Sequence, residues 1–471
     1  MHSVKQITYK IINKLHLYFC LISLGLCLAV SGQDNAPYSR FGIGDLVPST
    51  HVNTRGMGGI SAGFTDFLSV NFNNPASYAA FEAGKEVRSK KLASGRTILD
   101  VGINVDNRKL IQPAPRQSFT ASNALFSYVQ VGVPLRRGWG LSFGIRPVSR
   151  ISYKLERYEK LKDPITGQPI DSTVTRFQGD GGSYLATIGT GLNLFRKERK
   201  NGFEESLSFG VNAGYFFGKK DYSSRRTFIN DTVEYAQANY ETRTNYGNIY
   251  FNAGLQYRLP LAGNLLFTAG LFGNLGQNLN ATQDRIRETF LYDAGAGYLR
   301  LDSVSDSRNN KGTVRLPASY TVGFVIQKLP LTNKEGAWLL GVDLMQQRWD
   351  DYRFYGQTDS VGNKWELRIG GQVNPPPGEN FFRRLAYRLG FFTGPDYIQL
   401  RPKLPQYGVT MGVAVPIANY NRLSPNQASV LNLSFEYIRR GNNDNRLREN
   451  LFRFSAGFSL SDIWFIKRKY D

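Results

Sequence analysis

The stretch "SLSFGVNAGY", residues 206–215, alternates apolar side chains with small or polar ones. Leu207, Phe209 and Val211 are apolar, and the residues between them are serine, glycine and asparagine. Successive side chains of a β-strand point to opposite faces of a sheet. The spacing therefore predicts a strand with one apolar face and one polar face.

The same alternation returns in "NIYFNAGLQYR", residues 248–258, and in "LFRFSAGFSLS", residues 451–461. Each run has about the length, ~9–11 residues, that crosses a bilayer as a tilted strand. A soluble β-sandwich is the alternative, but its strands are usually shorter, ~5–6 residues. Long strands with a face rich in Gly, Ser, Asn and Arg are typical of a water-filled lumen. The pattern predicts an all-β fold, a transmembrane antiparallel β-barrel.

Fifteen candidate strands can be counted. They begin near residues 96, 119, 138, 183, 204, 226, 247, 263, 312, 336, 363, 383, 406, 429 and 450. Because single-chain bacterial barrels have even strand numbers, we predict 14 strands, with 16 as the alternative. The segment near 226 or the one near 363 is then expected to belong to a loop hairpin.

Residues 1–32 have the features of an export signal. Three lysines precede an apolar run over residues 15–30, and Ala29 and Ser31 are small residues suited to a cleavage site. The run is shorter than the ~20 residues of a spanning helix, so an N-terminal anchor is the less favoured reading. The mature chain is expected to begin near Gln33 and to lie in the cell outer membrane.

Both cysteines, Cys20 and Cys27, lie in this signal, and His51 is the one histidine of three that follows it. A mature chain without thiols excludes disulfides, zinc-cysteine sites and cysteine nucleophiles. A Ser-His-Asp set would have to use His51. We therefore expect no enzyme activity, no metal and no cofactor.

The formal net charge is +21, and +18 without the three signal lysines. The basic residues recur in polar inserts at 195–202, 218–226 and 438–450, which are predicted to be solvated loops. Dispersed charge without a nucleic-acid motif argues against nucleic-acid binding. A positive excess also suits phosphate-rich surfaces, so outer-membrane lipids and lipopolysaccharide are the expected partners.

Residues 33–94 do not alternate. The stretch "RGMGGISAGFTDFLSVNFNNPASYAAFEAG", residues 55–84, is rich in glycine and asparagine, which favour tight turns and short helices. A 14-strand barrel has a lumen too wide for its own side chains to fill. We therefore predict that residues 33–94 form a plug, or hatch, inside a barrel built from residues 95–471.

The segment "NNPASYAA", residues 73–80, resembles the Asn-Pro-Ala signature in the hatch of the FadL/TodX family of outer-membrane transporters for long-chain fatty acids and other hydrophobic compounds. "VRLPASYTVGF", residues 314–324, is similar to the Leu-Pro start of a strand in that family. "WLLGVDLMQQRWDDY", residues 338–352, is similar to its strand ending in aspartate, tryptophan and an aromatic residue. "YSRFGIGDL" and "RGMGG" resemble a divergent branch, and one relative in that superfamily serves type IX secretion.

The resemblance implies that a hydrophobic ligand binds inside the barrel and leaves sideways, after the hatch rearranges, through a gap at a kink of the third strand. Here the third predicted strand, which starts near 138, contains Arg146 and Pro147. Proline cannot donate to a sheet ladder. The sequence predicts either a lateral opening beside these two residues or a bulge that merely bends the strand.

The hatch motif is expected to plug the lumen, with asparagine amides bonded to the wall, and direct ligand contact is the alternative. It comprises Gly56, Gly58, Gly59, Asn73, Asn74, Pro75 and Ala76.

Three charged residues, Arg388, Glu436 and Arg453, fall on polar strand faces and are candidate lumen charges. An arginine there could hold a fatty-acid carboxylate bidentately. Stabilisation of the wall is the favoured role.

The favoured function is uptake of hydrophobic, fatty-acid-like compounds by a FadL-like outer-membrane barrel. The alternative is a non-transporting FadL-like component of type IX protein secretion or surface assembly. The expected partners are a hydrophobic small molecule and the barrel insertion machinery, with Trp464 and Phe465 as the aromatic end of the last strand. A monomer is expected, because a closed barrel needs no partner for its sheet.

Overall fold

The computed structural model describes residues 35–85, 92–199, 203–229, 236–293, 295, 297–332, 334–417 and 427–464. The predicted signal and Phe465 lie outside the described residues.

The chain forms a closed antiparallel barrel of 14 strands, numbered β1 to β14 in chain order. They are Leu92–Gln112 (β1), Gln117–Arg136 (β2), Trp139–Lys162 (β3), Pro169–Glu198 (β4), Glu204–Phe228 (β5), Gln237–Pro260 (β6), Leu265–Asn274 with Gln277–Asp293 (β7), Gly297–Leu316 with Ser319–Lys328 (β8), Ala337–Gln347 (β9), Lys364–Asn374 (β10), Ala386–Pro395 (β11), Pro405–Ile417 (β12), Ala428–Arg440 (β13) and Arg448–Trp464 (β14). Pairing of β14 with β1, from Arg448 opposite Ile111 to Trp464 opposite Gly95, closes the sheet. The prediction of 14 strands is confirmed.

Residues 35–85, which we call the hatch, contain short elements. These are the 3₁₀ helices Pro37–Arg40 and Pro75–Ala80, the helix Val52–Arg55, and the strands Asp45–Leu46 and Ala83–Lys85. Outside the hatch, the 3₁₀ helices Trp349–Asp351 and Phe381–Arg384 and the strand Arg353–Phe354 lie in loops. No helix among the described residues has the length and apolar character needed to cross a membrane.

The two faces of the barrel wall differ in polarity. In β14, Phe452 and Phe454 are 42% and 43% exposed, whereas Arg453 and Ser455, which alternate with them, are buried. Other strands repeat this pattern, with Tyr320, Val322 and Phe324 exposed on β8. An apolar exterior with polar side chains turned inward is the arrangement of outer-membrane barrels, because the exterior contacts lipid.

As the first of the two alternatives predicts, the segment near 226 belongs to a hairpin, at the end of β5, and the segment near 363 is the separate strand β10. Two predicted loops need correction. Residues 218–226, predicted as a loop, pair with β4 and β6. Their polar side chains alternate on both faces, so no apolar period marks them. The insert at 438–450 is also not a simple solvated loop, because Arg440 and Glu449 are buried.

The two ends of the barrel are unequal. At the proximal end, where β1 starts and β14 finishes, short turns join strands, as between β2 and β3. At the distal end the hairpins β3–β4, β5–β6 and β7–β8 are long, and the β3–β4 ladder continues to Lys162 opposite Pro169. Longer loops of outer-membrane barrels are extracellular, so we expect the distal end to face outward.

The distal mouth of the barrel is filled by packed loops. Trp349 and Tyr352 from one loop and Tyr397 from another pack with Tyr38 and Ile43 of the hatch in one apolar cluster. The Tyr352 hydroxyl donates to the carbonyl of Gly42 at 3.1 Å. Burial of these aromatic rings holds the loops inside the mouth.

Candidate ligand path through lumen and wall

The Asn-Pro-Ala turn of the hatch lies in a groove made by glycines of the wall. The glycines occupy paired positions on four adjacent strands, β3 to β6. A Cβ added to any of them would collide with Asn74, Pro75 or Tyr78. These glycines, which we call the first glycine row, are Gly140, Gly191, Gly210 and Gly254.

The side chain of Asn74 in this turn bonds to the wall and to the hatch itself. The Asn74 side-chain amide donates to the carbonyls of Ala62 at 2.8 Å and Leu255 at 3.3 Å. Its oxygen accepts the backbone N–H of Ala76 at 3.2 Å and so caps the following 3₁₀ helix. Pro75 occupies the first helical turn, where a missing N–H is tolerated.

The glycine-rich part of the hatch contacts the wall on strands β9 to β12. Gly58 and Gly59 have φ angles of 68° and 82°, which suit glycine and turn the chain after the helix Val52–Arg55. The N–H of Gly58 donates to the Thr410 hydroxyl at 2.8 Å. The contacting wall positions, the second glycine row, are Gly341, Gly370, Gly390 and Gly412, the last of which faces Gly56.

Two buried charged groups also fix the hatch. Asp343 of β9 accepts the backbone N–H groups of Ser61 at 2.6 Å and Ala62 at 2.9 Å. Arg55 of the hatch donates to neutral oxygens, among them the side chains of Asn104 at 2.5 Å and Ser127 at 2.7 Å. Every one of these bonds is lost if the hatch leaves its place.

A third attachment, near the distal end, is a cluster of charges that we call the distal clamp. Asp45 of the hatch contacts Arg108 of β1 and, at 2.8 Å, Arg440 of β13. Both arginines also contact Glu449 of β14, at 2.9 and 3.3 Å. Burial raises the pKa of the Asp45 carboxyl, but the two arginines outweigh it and hold that pKa well below its usual range.

The predicted lumen charges lie in the wall. Arg453 binds Asp106 through two bonds of 2.7 and 2.9 Å and Glu436 through one of 3.1 Å. Arg388 lies apart from them and donates to the neutral side chains of Gln372 and Asn432, each at 2.7 Å. The structure brings Glu436 and Arg453 together but not Arg388.

His51 is part of the packed hatch. Its Nδ1 accepts the N–H of Asn53 at 3.1 Å, and its Nε2 lies 3.2 Å from the buried carboxylate of Asp100. Within the described part of the chain, no group of three or more His, Cys, Asp or Glu residues is placed to hold a metal ion.

The barrel wall is interrupted between β2 and β3. The two strands pair from Arg136 opposite Trp139 to Val129 opposite Ile145, and there the ladder stops. The next residues of β3 are Arg146 and Pro147, and the β3–β4 register shifts between Pro147 and Ser149. The structure thus has both a bulge and a gap in the ladder at the predicted position.

The hatch takes the place of β2 along the free edge of β3. Asp45 and Leu46 pair with Arg150 and Ser149. The backbone N–H of Val47 donates to the carbonyl of Val148 at 3.0 Å. The edge of β3 is therefore hydrogen-bonded to a segment that is not part of the barrel wall.

Two cavities lie on either side of β3 at this gap. The outer pocket, of about 690 Å³, is lined by Val47, Leu125, Phe126 and Pro147, among others. The inner cavity, of about 150 Å³, lies between hatch and wall and is lined by its neighbours Arg146 and Val148, and also by Leu185, Phe216, Tyr250 and Trp349. One strand separates the two spaces.

Arg146 is the charged side chain that faces the inner cavity at this point. It donates to the carbonyl of Ser49 at 3.2 Å and lies over the ring of Phe72, 5.3 Å from its centre. No carboxylate of the described residues lies within 4.0 Å of its guanidinium. Arg368, the other arginine of the cavity, is bound by Glu366 at 2.7 Å.

Sequence reasoning missed the glycine rows and the distal clamp. The first glycine row has a weak sequence signal, because a glycine recurs near the proximal part of each strand from β3 to β6. The sequence does not show that these glycines are aligned, since that depends on the strand register. Asp45, Arg108, Arg440 and Glu449 are far apart in sequence, and no local pattern joins them.

A family model described as BamG matches residues 11–471 of the chain. No curated protein matches the chain. It is similar to the structure of a FadL homologue of Pseudomonas aeruginosa, with 13% identity, coverage of 90% of this chain and 100% of that chain, and a TM-score of 0.49. The chain is also similar to the structure of the toluene transporter TodX of Pseudomonas putida, with 14% identity, coverage of 89% of this chain and 99% of that chain, and a TM-score of 0.48. At these values the likeness carries no conclusion about what this chain binds.

Replacement of Gly210 by valine is expected to loosen the hatch, because the new side chain collides with Pro75. Overpacking of this kind costs about 1–3 kcal/mol. Limited proteolysis of the hatch in detergent and the thermal unfolding midpoint measure the effect. Ala213→Leu, which adds the same number of carbons further along β5, is the control. Equal protease resistance in the two variants would contradict docking on the first glycine row.

The variant Asp45→Asn is expected to be less stable than the wild type at neutral pH, by about 1–3 kcal/mol, because two buried arginines lose one of their carboxylate partners and keep Glu449. The folded-state pKa of Asp45 is lowered, so its contribution is present above the ordinary carboxyl range and is lost as pH falls below it. Thermal unfolding at several pH values measures this. The difference in stability between Asp45→Asn and the wild type should shrink in acid. The exposed control Asp444→Asn should have the stability of the wild type at every pH. A difference for Asp45→Asn that does not depend on pH would contradict the distal clamp.

Proposed function

The chain belongs to the BamG family, and we propose that it is a channel through which a hydrophobic molecule reaches the inner cavity and leaves sideways beside Pro147. One observation carries the proposal: the inner cavity and the outer pocket lie on either side of β3, at the point where its ladder with β2 is broken. The resemblance to the FadL/TodX family, drawn from sequence motifs, agrees with it.

The size of the inner cavity favours a compact ligand. Its volume of about 150 Å³ equals that of an engineered protein cavity that holds benzene. A long acyl chain would need the hatch to move before it could enter. We therefore propose a ligand of about the size of a single aromatic ring, and a fatty acid only if the cavity widens.

Arg146 gives the cavity a preference for an anionic group. A guanidinium binds a carboxylate through two parallel hydrogen bonds. Arg146 is part-buried and already bonded to the Ser49 carbonyl, which leaves other donors directed at the cavity. The proposed ligand is an apolar ring or short chain bearing a carboxylate.

Sideways release requires movement of a limited part of the hatch. The Asp45–Leu46 strand and Val47 cover the edge of β3, through a few hydrogen bonds. Residues 56–78 are held by both glycine rows. We propose that the distal part of the hatch moves while the rest stays docked, so that the outer pocket joins the inner cavity.

A second candidate, surface assembly or secretion, is favoured by the long distal hairpins. The β3–β4, β5–β6 and β7–β8 hairpins extend on one side of the barrel and carry many exposed charges, such as Arg157, Arg176 and Arg308. Such a surface suits a protein partner. Loss of surface proteins with unchanged solute uptake in a deletion strain would favour this candidate.

The variant Arg146→Gln is expected to bind a ring carboxylate such as benzoate about 10-fold to 100-fold more weakly, since a hydrogen bond to a charged group contributes about 1.5–3 kcal/mol. Binding of benzamide, which lacks the charge, should change little. Calorimetry on the purified barrel measures both. Arg258→Gln, an inward arginine that does not line the inner cavity, is the control; equal losses for both ligands would contradict the assignment.

A reversible link between Val47→Cys and Leu125→Cys would tie the hatch to β2 across the outer pocket. The described residues contain no cysteine, so within them the linking reagent can react only with these two introduced thiols. Linking with a bifunctional methanethiosulfonate should lower cellular uptake of radiolabelled benzoate at least fivefold, and reductant should restore it. Uptake that persists in the linked protein would exclude release at this gap.

A further inference from the structure

The wall is interrupted a second time, between β6 and β7. The distal part of the ladder ends at Gly247 opposite Asn280, and the proximal part starts at Ala253 opposite Gly273. Between these points, β6 and β7 form no main-chain pairs. Both β7 and β8 are broken at this level, after Asn274 and after Leu316.

Side-chain amides replace the missing ladder. Gln277 donates to the carbonyl of Phe251 at 3.1 Å and accepts its N–H at 3.3 Å. Asn248 of β6 donates to the carbonyl of Asn278 of β7 at 2.8 Å. Across the adjoining break between β7 and β8, Asn274 donates to the carbonyl of Pro317 at 3.2 Å. In hydrocarbon a backbone polar group needs a partner. Amide side chains supply one, and they can rotate away without disruption of a strand.

The inner cavity reaches this seam. Gly273, Asn274, Pro317 and Ser319 line it there. Outside, Phe251 and Leu275 are 59% and 71% exposed, so the seam opens onto an apolar surface. The inner cavity therefore touches the wall at the gap beside Pro147 and again at this break.

We propose that this break, the amide seam, is a second side portal through which a compact hydrophobic molecule passes between the inner cavity and the lipid. The inference rests on the proposed function for its ligand class. With the gap at Pro147, the portal gives the cavity two lateral openings. A ligand can then cross the barrel from one lipid-facing side to the other while the glycine-held part of the hatch stays docked.

The first test closes the seam with Phe251→Cys and Leu275→Cys, linked by the bifunctional methanethiosulfonate. Uptake of radiolabelled toluene and benzoate by cells should fall at least fivefold and recover with reductant. Leu255→Cys with Leu271→Cys, outward partners in the intact ladder of the same strands, is the control and should have no effect. If uptake falls with the Val47–Leu125 link but not with the Phe251–Leu275 link, the second portal is wrong and the proposed function is unaffected.

A second test does not depend on transport. A thiol at Ser319→Cys, which lines the cavity at the seam, should react with the lipid-soluble reagent N-phenylmaleimide in vesicles. Addition of Gly276→Trp should slow this reaction at least fivefold, because the indole fills the seam. Gly276 has an ordinary backbone, and a Cβ there meets no atom closer than 3.3 Å, so Gly276→Ala is a mild control. An unchanged rate with tryptophan overturns the portal, even if no ligand is ever transported.

Discussion

The close contact between the backbone of the hatch and the backbone of the wall determines how the rest of the protein is arranged. It is possible because glycines lie in register on β3 to β6 and again on β9 to β11, with Gly412 of β12 two residues away from that register. Any side chain at these positions would hold the hatch away from the wall and open a space on the opposite side. The hatch instead packs directly against the wall along both glycine rows.

This packing also decides which parts of the molecule can move. The Asn-Pro-Ala turn and the Gly58–Gly59 turn are held by many contacts, whereas the segment around Asp45 is held by the distal clamp and a short piece of strand. The wall is likewise uneven. Most strands share continuous ladders, but at Pro147 and at Gln277 the pairing is made by the hatch or by side chains. Ligand passage is expected where the ladder is broken.

The sequence predicts the barrel well and the long hairpins poorly. Alternation such as that of Leu207, Phe209 and Val211 reflects lipid on one face and the lumen on the other. It marks fifteen candidate strands, and the even strand number of such barrels reduces them to 14. The ends of β5 and β8 have water on both faces, so that signal disappears. Pro147 was identified because proline interrupts any ladder. Gln277 and Asn248 were not, because amides are ordinary on a polar strand face and only the register shows their function.

The glycine rows have a further consequence for how the protein is made. Distal loops fill one mouth of the barrel, and the hatch fits between walls that leave no clearance for it. The hatch therefore cannot be threaded into a finished cylinder. It precedes β1 in the chain, and the pairing that closes the sheet, between β14 and β1, joins residues more than three hundred positions apart. The sheet must therefore close around a hatch that is already in place during folding.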